Sequence, residues 1–333
     1  MEHLRPELLT GILRGVSRSF YWTMRVLPLD IRPQISLAYL LARTTDTIAD
    51  TGLVPVDERL GALQALRARI LGETSAPLDF GALVSNQGSP AERVLLECVE
   101  DALSILPKFS YSDQQRIREV LDIITSGQSL DLQRFGGACE KRIVALQTDA
   151  ELDDYTFRVA GCVGEFWTRL CRAHLFPNVP VNEAELLANG VRFGKGLQLV
   201  NILRDLPRDL REGRCYIPAN RLAEAGLAPA DLLDPANEPR FHALYHSHLD
   251  VAEAHLVAGW NYTNSLPRLC ARVRLACAWP VLIGLRTLRL CRTANILDPG
   301  RRVKISRGEM RGLVARSVLL YPWPSAWRRL GVA

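Results

Sequence analysis

Gln198-Leu-Val-Asn201-Ile-Leu-Arg204-Asp205-Leu-Pro207-Arg208-Asp209 is the stretch on which the fold turns. Steps of three, four and four residues place Gln198, Asn201, Asp205 and Asp209 on one face of a helix, because 3.6 residues per turn return the chain to the same side. Leu199, Val200, Ile202 and Leu203 fall elsewhere and are left for packing. The result is a polar stripe in a helix otherwise built to be buried. Pro207 lacks an N–H, so the pattern predicts a kink or an end near Asp205, with Asp209 in a loosened turn.

Tyr39-Leu-Leu-Ala-Arg43-Thr-Thr-Asp46-Thr-Ile-Ala-Asp50 echoes it, with Tyr39, Arg43, Asp46 and Asp50 on one stripe. Carboxylates on successive turns repel by roughly a few tenths of a kcal/mol when exposed, and by more when they face an apolar interior. Mg²⁺ turns that cost to use, since it takes carboxylate oxygens and keeps positions for water and substrate phosphates. A solvated helix end relieved by a nearby arginine accounts for one such pair. Two pairs, each preceded by polar and basic residues inside an apolar helix, favour facing acidic helices that clamp a diphosphate through Mg²⁺. Arg18, Arg43, Arg204, Arg208, Arg211 and Arg214 lie close by in sequence, and guanidinium forks match phosphate oxygens.

Helical periodicity extends over the chain, with segments around 35–50, 57–72, 91–106, 113–134, 138–149, 153–173, 183–206, 240–264, 267–292 and 307–319. Gly, Pro, Asn and Ser punctuate the gaps. The expected fold is all-α, a single domain over residues 1–333, with 320–333 a Pro/Trp/Arg-rich tail. A short hairpin between Gly213–Pro218 and Val303–Ser306 is the one hint of strand. The tail, with Tyr321, Trp323 and Trp327 beside Arg316, Arg328 and Arg329, suits either a packed C-terminal helix or a membrane surface.

Of the 333 residues, 48% are apolar and 23% charged, a globular composition that excludes low-complexity and disordered classes. A net charge of +5 is small for a nucleic-acid binder, and no nucleic-acid partner is expected. The eight cysteines include no CxxC pair and read as free thiols of a reducing cytoplasm. Charged residues interrupt the N-terminus, so no signal peptide is expected. The longest apolar run, between Arg274 and Arg286, contains a proline and is too short for a transmembrane anchor. His242, His246 and His248 read as a solvated patch rather than a metal site, since no HExxH accompanies them.

Further blocks complete a resemblance: Ser17-Arg-Ser-Phe20, Asp153-Asp-Tyr155-Thr-Phe-Arg-Val-Ala-Gly-Cys-Val-Gly164 and Gly213-Arg-Cys-Tyr-Ile-Pro218. With the two Asp stretches, in this order, they resemble the squalene/phytoene synthases, the head-to-head trans-isoprenyl diphosphate synthases. The resemblance implies an isoprenoid-synthase-type helical bundle around a central cavity, taking two prenyl diphosphates, with farnesyl diphosphate favoured. It implies that Asp46, Asp50, Asp205 and Asp209, with Asn201, bind Mg²⁺. Arg18, Ser19, Arg43, Gln198, Asn201, Arg204 and Arg214 would hold diphosphate, and Tyr39 would lie near the reacting centre.

The third block departs from the family pattern Tyr-Cys-x-x-Val-Ala-Gly. Tyr155 fills its first position, but Thr156 replaces the Cys, and Arg158 stands where eukaryotic squalene synthases carry a proposed catalytic tyrosine. Tyr155 is therefore the candidate catalytic tyrosine, and Phe157 offers at most a π-face to a carbocation. Gly161 and Gly164 suit either close helix packing or room for prenyl chains.

Leu275-Ala-Cys-Ala-Trp-Pro280 and Val303-Lys-Ile-Ser-Arg-Gly308 resemble eukaryotic-type squalene synthases, whereas Gly213–Pro218 leans toward bacterial phytoene synthases. The favoured expectation is squalene synthase, with NADPH as reductant and Lys304 and Arg307 as its contacts. The alternatives are a phytoene or dehydrosqualene synthase without reduction, and a presqualene diphosphate synthase. The resemblance implies a monomer; the free thiols and the lack of an expected signal peptide or anchor suggest a location that is cytoplasmic or peripheral on the inner face of the membrane, and a product too apolar for water suggests transient contact with that surface.

Overall fold

The computed structural model describes residues 11–16 and 20–331, with the backbone alone at 20–22. Its principal helices are α1 (Arg32–Asp50), α2 (Val56–Leu71), α3 (Pro90–Glu97), α4 (Tyr111–Phe135), α5 (Asp149–Thr156), α6 (Cys162–Leu175), α7 (Glu183–Arg211), α8 (Glu238–Ser265), α9 (Ala271–Arg292) and α10 (Arg307–Leu320). The described residues form an all-α fold. They divide into two compact units, one within Met1–Gly136 and Phe166–Asn178, the other within Gly137–Glu165 and Val179–Ala333.

In the first unit, α1 packs on α2 and α4. Pro33 sits in the first turn of α1, where its missing N–H costs nothing, and Leu37, Leu40, Leu41 and Ile48 are fully buried along its length. The helix also buries Thr44 and Thr45, whose hydroxyls donate to the carbonyls of Leu40 (2.9 Å) and Ala42 (2.7 Å). Gly72, in the left-handed region at φ +79°, closes α2. Ser110 caps α4 by accepting from the Asp113 N–H at 3.2 Å. The helix expected over 91–106 breaks at Cys98 into Pro90–Glu97 and Val99–Leu103.

The second unit is centred on α7, which packs on α8, α9 and the 157–161 turn. The α7 backbone approaches its neighbour closely: a Cβ on Gly164 would lie 1.9 Å from the Gly190 oxygen, and one on Gly194 would lie 2.1 Å from the Ala160 oxygen. Those glycines therefore serve a helix crossing rather than space for a chain.

Three expectations are corrected here. Residues 138–148, expected to be helical, form no helix. Gly137 turns the chain at φ +73°, a Cys139–Arg142 bridge follows, and Val144–Ala145 (β1) pairs in parallel with Arg214–Cys215 (β2). Residues 214–215 accordingly pair with β1 in parallel and not in a hairpin, and Val303–Ser306 lies in no strand.

The third correction concerns the end expected near Asp205: of the kink or end that Pro207 predicts, the end does not occur. Helix α7 runs through Pro207 to Arg211. A proline leaves the carbonyl four residues earlier without its intrahelical donor, and that carbonyl, Leu203, instead accepts a 3.1 Å hydrogen bond from the Tyr245 hydroxyl on α8. Tyr245 is buried, and burial raises its hydroxyl well above the ordinary tyrosine range, keeping it a donor.

The tail packs. Trp327 is 2% exposed, stacks on Trp260 with centroids 5.4 Å apart, and donates to Asn264 at 3.0 Å. Among the described residues no helix is long and apolar enough to cross a membrane.

Candidate functional site

The two Asp helices belong to different units, α1 to the first and α7 to the second. On α1, Arg43 donates to Glu92 of α3 and lies 3.6 Å from Asp46. Asp46 also accepts from the Gln128 amide of α4. Burial pushes the Asp46 carboxyl up to about 7, with Arg43 opposing and Asp50 adding to the rise. Burial works against the Arg43 charge, yet Asp46 and Glu92 together hold its pKa above the usual arginine value. Tyr39 is half-buried on the same stripe and Asp50 is exposed at the helix end. Glu92 and Gln128 carry no motif of their own, because they reach the stripe from other helices.

On α7, Arg204 forks onto Asp205 through Nε (2.8 Å) and Nη2 (2.5 Å). Arg208 reaches Asp209 at 3.2 Å and Glu212 at 3.7 Å. Asp209 is 8% exposed, and burial pushes its carboxyl up to about 7, with Arg208 opposing and Asp205 and Glu212 adding to the rise. Asn201 is exposed and Gln198 half-buried on the same stripe. The continuous helix sets Asp209 one turn beyond Asp205, which the expected break would not have done.

The Asp153–Gly164 block also belongs to the second unit. Residues 157–161 form a π turn, a local widening that recurs at functional sites. Tyr155 is 8% exposed, stacks on Tyr216 with centroids 4.7 Å apart, and places its hydroxyl 3.3 Å from that of Tyr216. Thr156 donates to the Asp153 carbonyl, and Arg158 pairs with Asp154 at 2.8 Å. Lys195 of α7 pairs with Asp153 at 2.6 Å and lies 5.7 Å from the Phe157 ring centre. Tyr216 and Lys195 were not singled out in sequence; Tyr216 lies inside the quoted Gly213–Pro218 block, and Lys195 is one turn before Gln198.

Arg214 is half-buried in β2, while Lys304 and Arg307 are exposed where α10 begins. Arg18 and Ser19 lie outside the described residues. His242 and His246 stack at 4.0 Å, with His242 bonded to Glu238 at 2.8 Å, whereas His248 is buried with no partner for Nε2 among the described residues. All eight cysteines are free.

Among the described residues no three His, Cys, Asp or Glu side chains group closely enough to hold a metal by themselves. Each Asp helix offers a pair of oxygen ligands. One member of each pair is a carboxyl that burial drives toward protonation, a condition that a divalent cation relieves. The donor chemistry therefore fits a hard cation completed by substrate oxygens and water.

The profile of the family described as Squalene/phytoene synthase matches residues 13–309. The chain is 32% identical over 252 residues to a bifunctional lycopene cyclase/phytoene synthase of Gibberella fujikuroi, covering 73% of this chain but 40% of that protein's length. It is 31% identical to the presqualene diphosphate synthase of Zymomonas mobilis, covering 85% of this chain and 87% of that one. Identity to the squalene synthase of Saccharomyces cerevisiae is 27%, over 92% of this chain and 66% of that protein. A solved structure of TcSQS with the ligand BPH1237 shares the fold at a TM-score of 0.77, with 23% identity, 97% of this chain and 88% of that one covered.

Proposed function

The chain belongs to the squalene/phytoene synthase family, and from that premise we propose that it joins two farnesyl diphosphates head to head through presqualene diphosphate and reduces the product to squalene with NADPH. The observation that carries the head-to-head reading is the repetition of one arrangement on α1 and α7: a DxxxD pair on successive helical turns with an arginine beside one carboxylate, Arg43 at 3.6 Å from Asp46 and Arg204 at 2.5 Å from Asp205.

In this reading Asp46 and Asp50, and Asp205 and Asp209 with Asn201, hold Mg²⁺. When bound, the ion neutralises diphosphate charge and eases its departure. Arg43, Arg204 and Arg214, with Gln198, Arg18 and Ser19, orient the diphosphates. Arg204 and Arg208 already carry internal partners, so an incoming anion exchanges one carboxylate for phosphate oxygens without stranding a charge. Tyr155, stacked on Tyr216, presents aromatic surface to a developing allylic cation, and its hydroxyl is placed to hold or move a proton. Tyr39 lines the approach to Asp46. Lys304 and Arg307 are exposed cations suited to the phosphates of NADPH, which supplies hydride when bound.

The squalene end point rests on the resemblance of the 275–280 and 303–308 stretches to squalene synthases. A second reading stops at presqualene diphosphate. It is favoured by the relative from Zymomonas mobilis, matched over 87% of its length. Gas chromatography and mass spectrometry after incubation with farnesyl diphosphate and Mg²⁺ decide between them. Squalene formed only with NADPH supports the first reading. Presqualene diphosphate accumulating with or without NADPH supports the second, and turnover of geranylgeranyl diphosphate alone sinks both.

A further inference from the structure

Charge is unevenly placed along this chain. Between positions 299 and 331 there are eight Lys or Arg residues and one acidic residue, Glu309, a surplus of seven that exceeds the +5 of the whole protein. The remainder is therefore net negative. Glu309 is engaged by Arg286 at 2.8 Å, so it does not offset the arginines that follow it.

The same segment leaves apolar surface uncovered. Helix α10 turns Ser317 inward, where its hydroxyl accepts from Trp279 at 2.9 Å. The opposite face carries Gly308, Arg311, Gly312, Ala315 and Leu319, which recur at three- and four-residue steps. Leu319 is 67% exposed, Val318 48%, and Trp323, just past the helix, 61%. Arg311 and Arg316 are exposed on this helix and form no ion pair among the described residues. A groove of about 380 Å³ opens beside α10, with Leu282, Leu285, Leu313 and Leu330 forming its apolar part and Arg289, Arg316 and the Arg286–Glu309 pair its charged part.

We propose that the outer face of α10 together with Trp323 is a docking surface for an anionic lipid bilayer. The two halves of the patch ask for different things, and a lipid surface supplies both. Leu319, Val318 and Trp323 gain by leaving water for the acyl boundary, while Arg311 and Arg316 beside them meet lipid phosphates without leaving the headgroup layer. Indole is well suited to that boundary. A nucleic acid would answer the arginines and leave the aliphatic ridge in water. The helix lies in the plane of the surface and does not span it, which agrees with the absence of a membrane-crossing helix among the described residues.

Vesicle flotation of the full chain tests this. Phosphatidylcholine vesicles are compared with vesicles carrying about 30% phosphatidylglycerol, at low and high salt, for the parent protein, Arg311→Gln/Arg316→Gln, and Leu319→Asn/Trp323→Ser. The parent floats with the anionic vesicles and far less with the neutral ones. The arginine variant binds roughly 25-fold more weakly, at about fivefold per arginine. The Leu319/Trp323 variant also loses binding while its circular dichroism and melting stay those of the parent.

Equal binding to both vesicle types overturns the proposal, as does parental flotation of either well-folded variant. Capture of duplex nucleic acid with no vesicle binding overturns it in favour of a nucleic-acid surface. None of the four substituted residues has a role in the proposed chemistry, so a turnover assay in detergent reports separately on the proposed function.

Discussion

Replacing Tyr245 by Phe removes one oxygen, which meets the Cys291 thiol on α9 and, on the backbone, the Leu203 carbonyl. Its hydroxyl donates at 3.1 Å to the Leu203 carbonyl, which Pro207 leaves without an N–H partner. Leu203 is 1% exposed and Tyr245 3%, so water has little access to replace the lost donor. An unsatisfied buried carbonyl costs about 1–3 kcal/mol. At about 2 cal/mol/K of unfolding entropy per residue, a 333-residue chain converts that into a fall in Tm of roughly 2–4 °C.

A double-mutant cycle supplies the sharper assay. Pro207→Ala restores an N–H that can donate to Leu203, so Tyr245→Phe in that background costs under about 0.5 kcal/mol and the coupling exceeds about 1 kcal/mol. Because the missing intrahelical bond spans residues 203–207, the turn that carries Asp205 and leads on to Asp209, product formation by Tyr245→Phe falls at least about 10-fold. Pro207→Ala/Tyr245→Phe recovers most of it. Additive costs, within about 0.3 kcal/mol, refute the idea that Tyr245 stands in for the missing N–H.

The remaining predictions concern the crossing and the two acidic helices. Gly164→Ala drives a methyl to within 1.9 Å of the Gly190 oxygen and costs about 1–3 kcal/mol in denaturant or thermal unfolding. Gly61→Ala, in helix α2 with open space around it, gains up to about 1 kcal/mol; equal effects at the two sites contradict the close approach. Asp209 has its carboxyl raised from 3.8 to about 7, so without a cation the folded state binds its proton more tightly than the unfolded one. Stability therefore falls as pH rises from about 4 to 7, by up to about 4 kcal/mol from this group. Asp209→Asn flattens that slope in parallel melts across the range, and an unchanged slope rejects the assignment. Gln128→Leu removes a donor to Asp46 and raises the Mg²⁺ concentration for half-maximal turnover about 10-fold or more; no change in Mg²⁺ dependence leaves Gln128 a packing residue only.

Periodicity was enough to locate α1, α2, α4, α7, α8, α9 and α10, because each repeats apolar residues on one face for at least fourteen residues. It was insufficient at 138–149. There Ile143, Val144 and Ala145 sit between Gly136–Gly137 and the Thr148 cap, a run too short for its period to be decisive. What settles it as extended chain is β2, some seventy residues later, paired at Val144–Arg214 and Ala145–Cys215. A partner that distant leaves no mark in a local window.

The site shows the same division. Asp46, Asp50, Asp205 and Asp209 were legible because each pair shares a helix, and spacing along a helix is information the sequence carries directly. Glu92 on Arg43 and Gln128 on Asp46 come from α3 and α4, and nothing in their own surroundings marks them. Pro207 is the instructive case. Read locally, it kinks or ends a helix, since an interior proline there costs about 3 kcal/mol. The helix nevertheless continues, and Tyr245, thirty-eight residues downstream, meets the carbonyl that the proline releases. Propensity predicts the cost of the break correctly. Whether the break occurs depends on a side chain that only the packed structure brings into reach, and with it depends the position of Asp209.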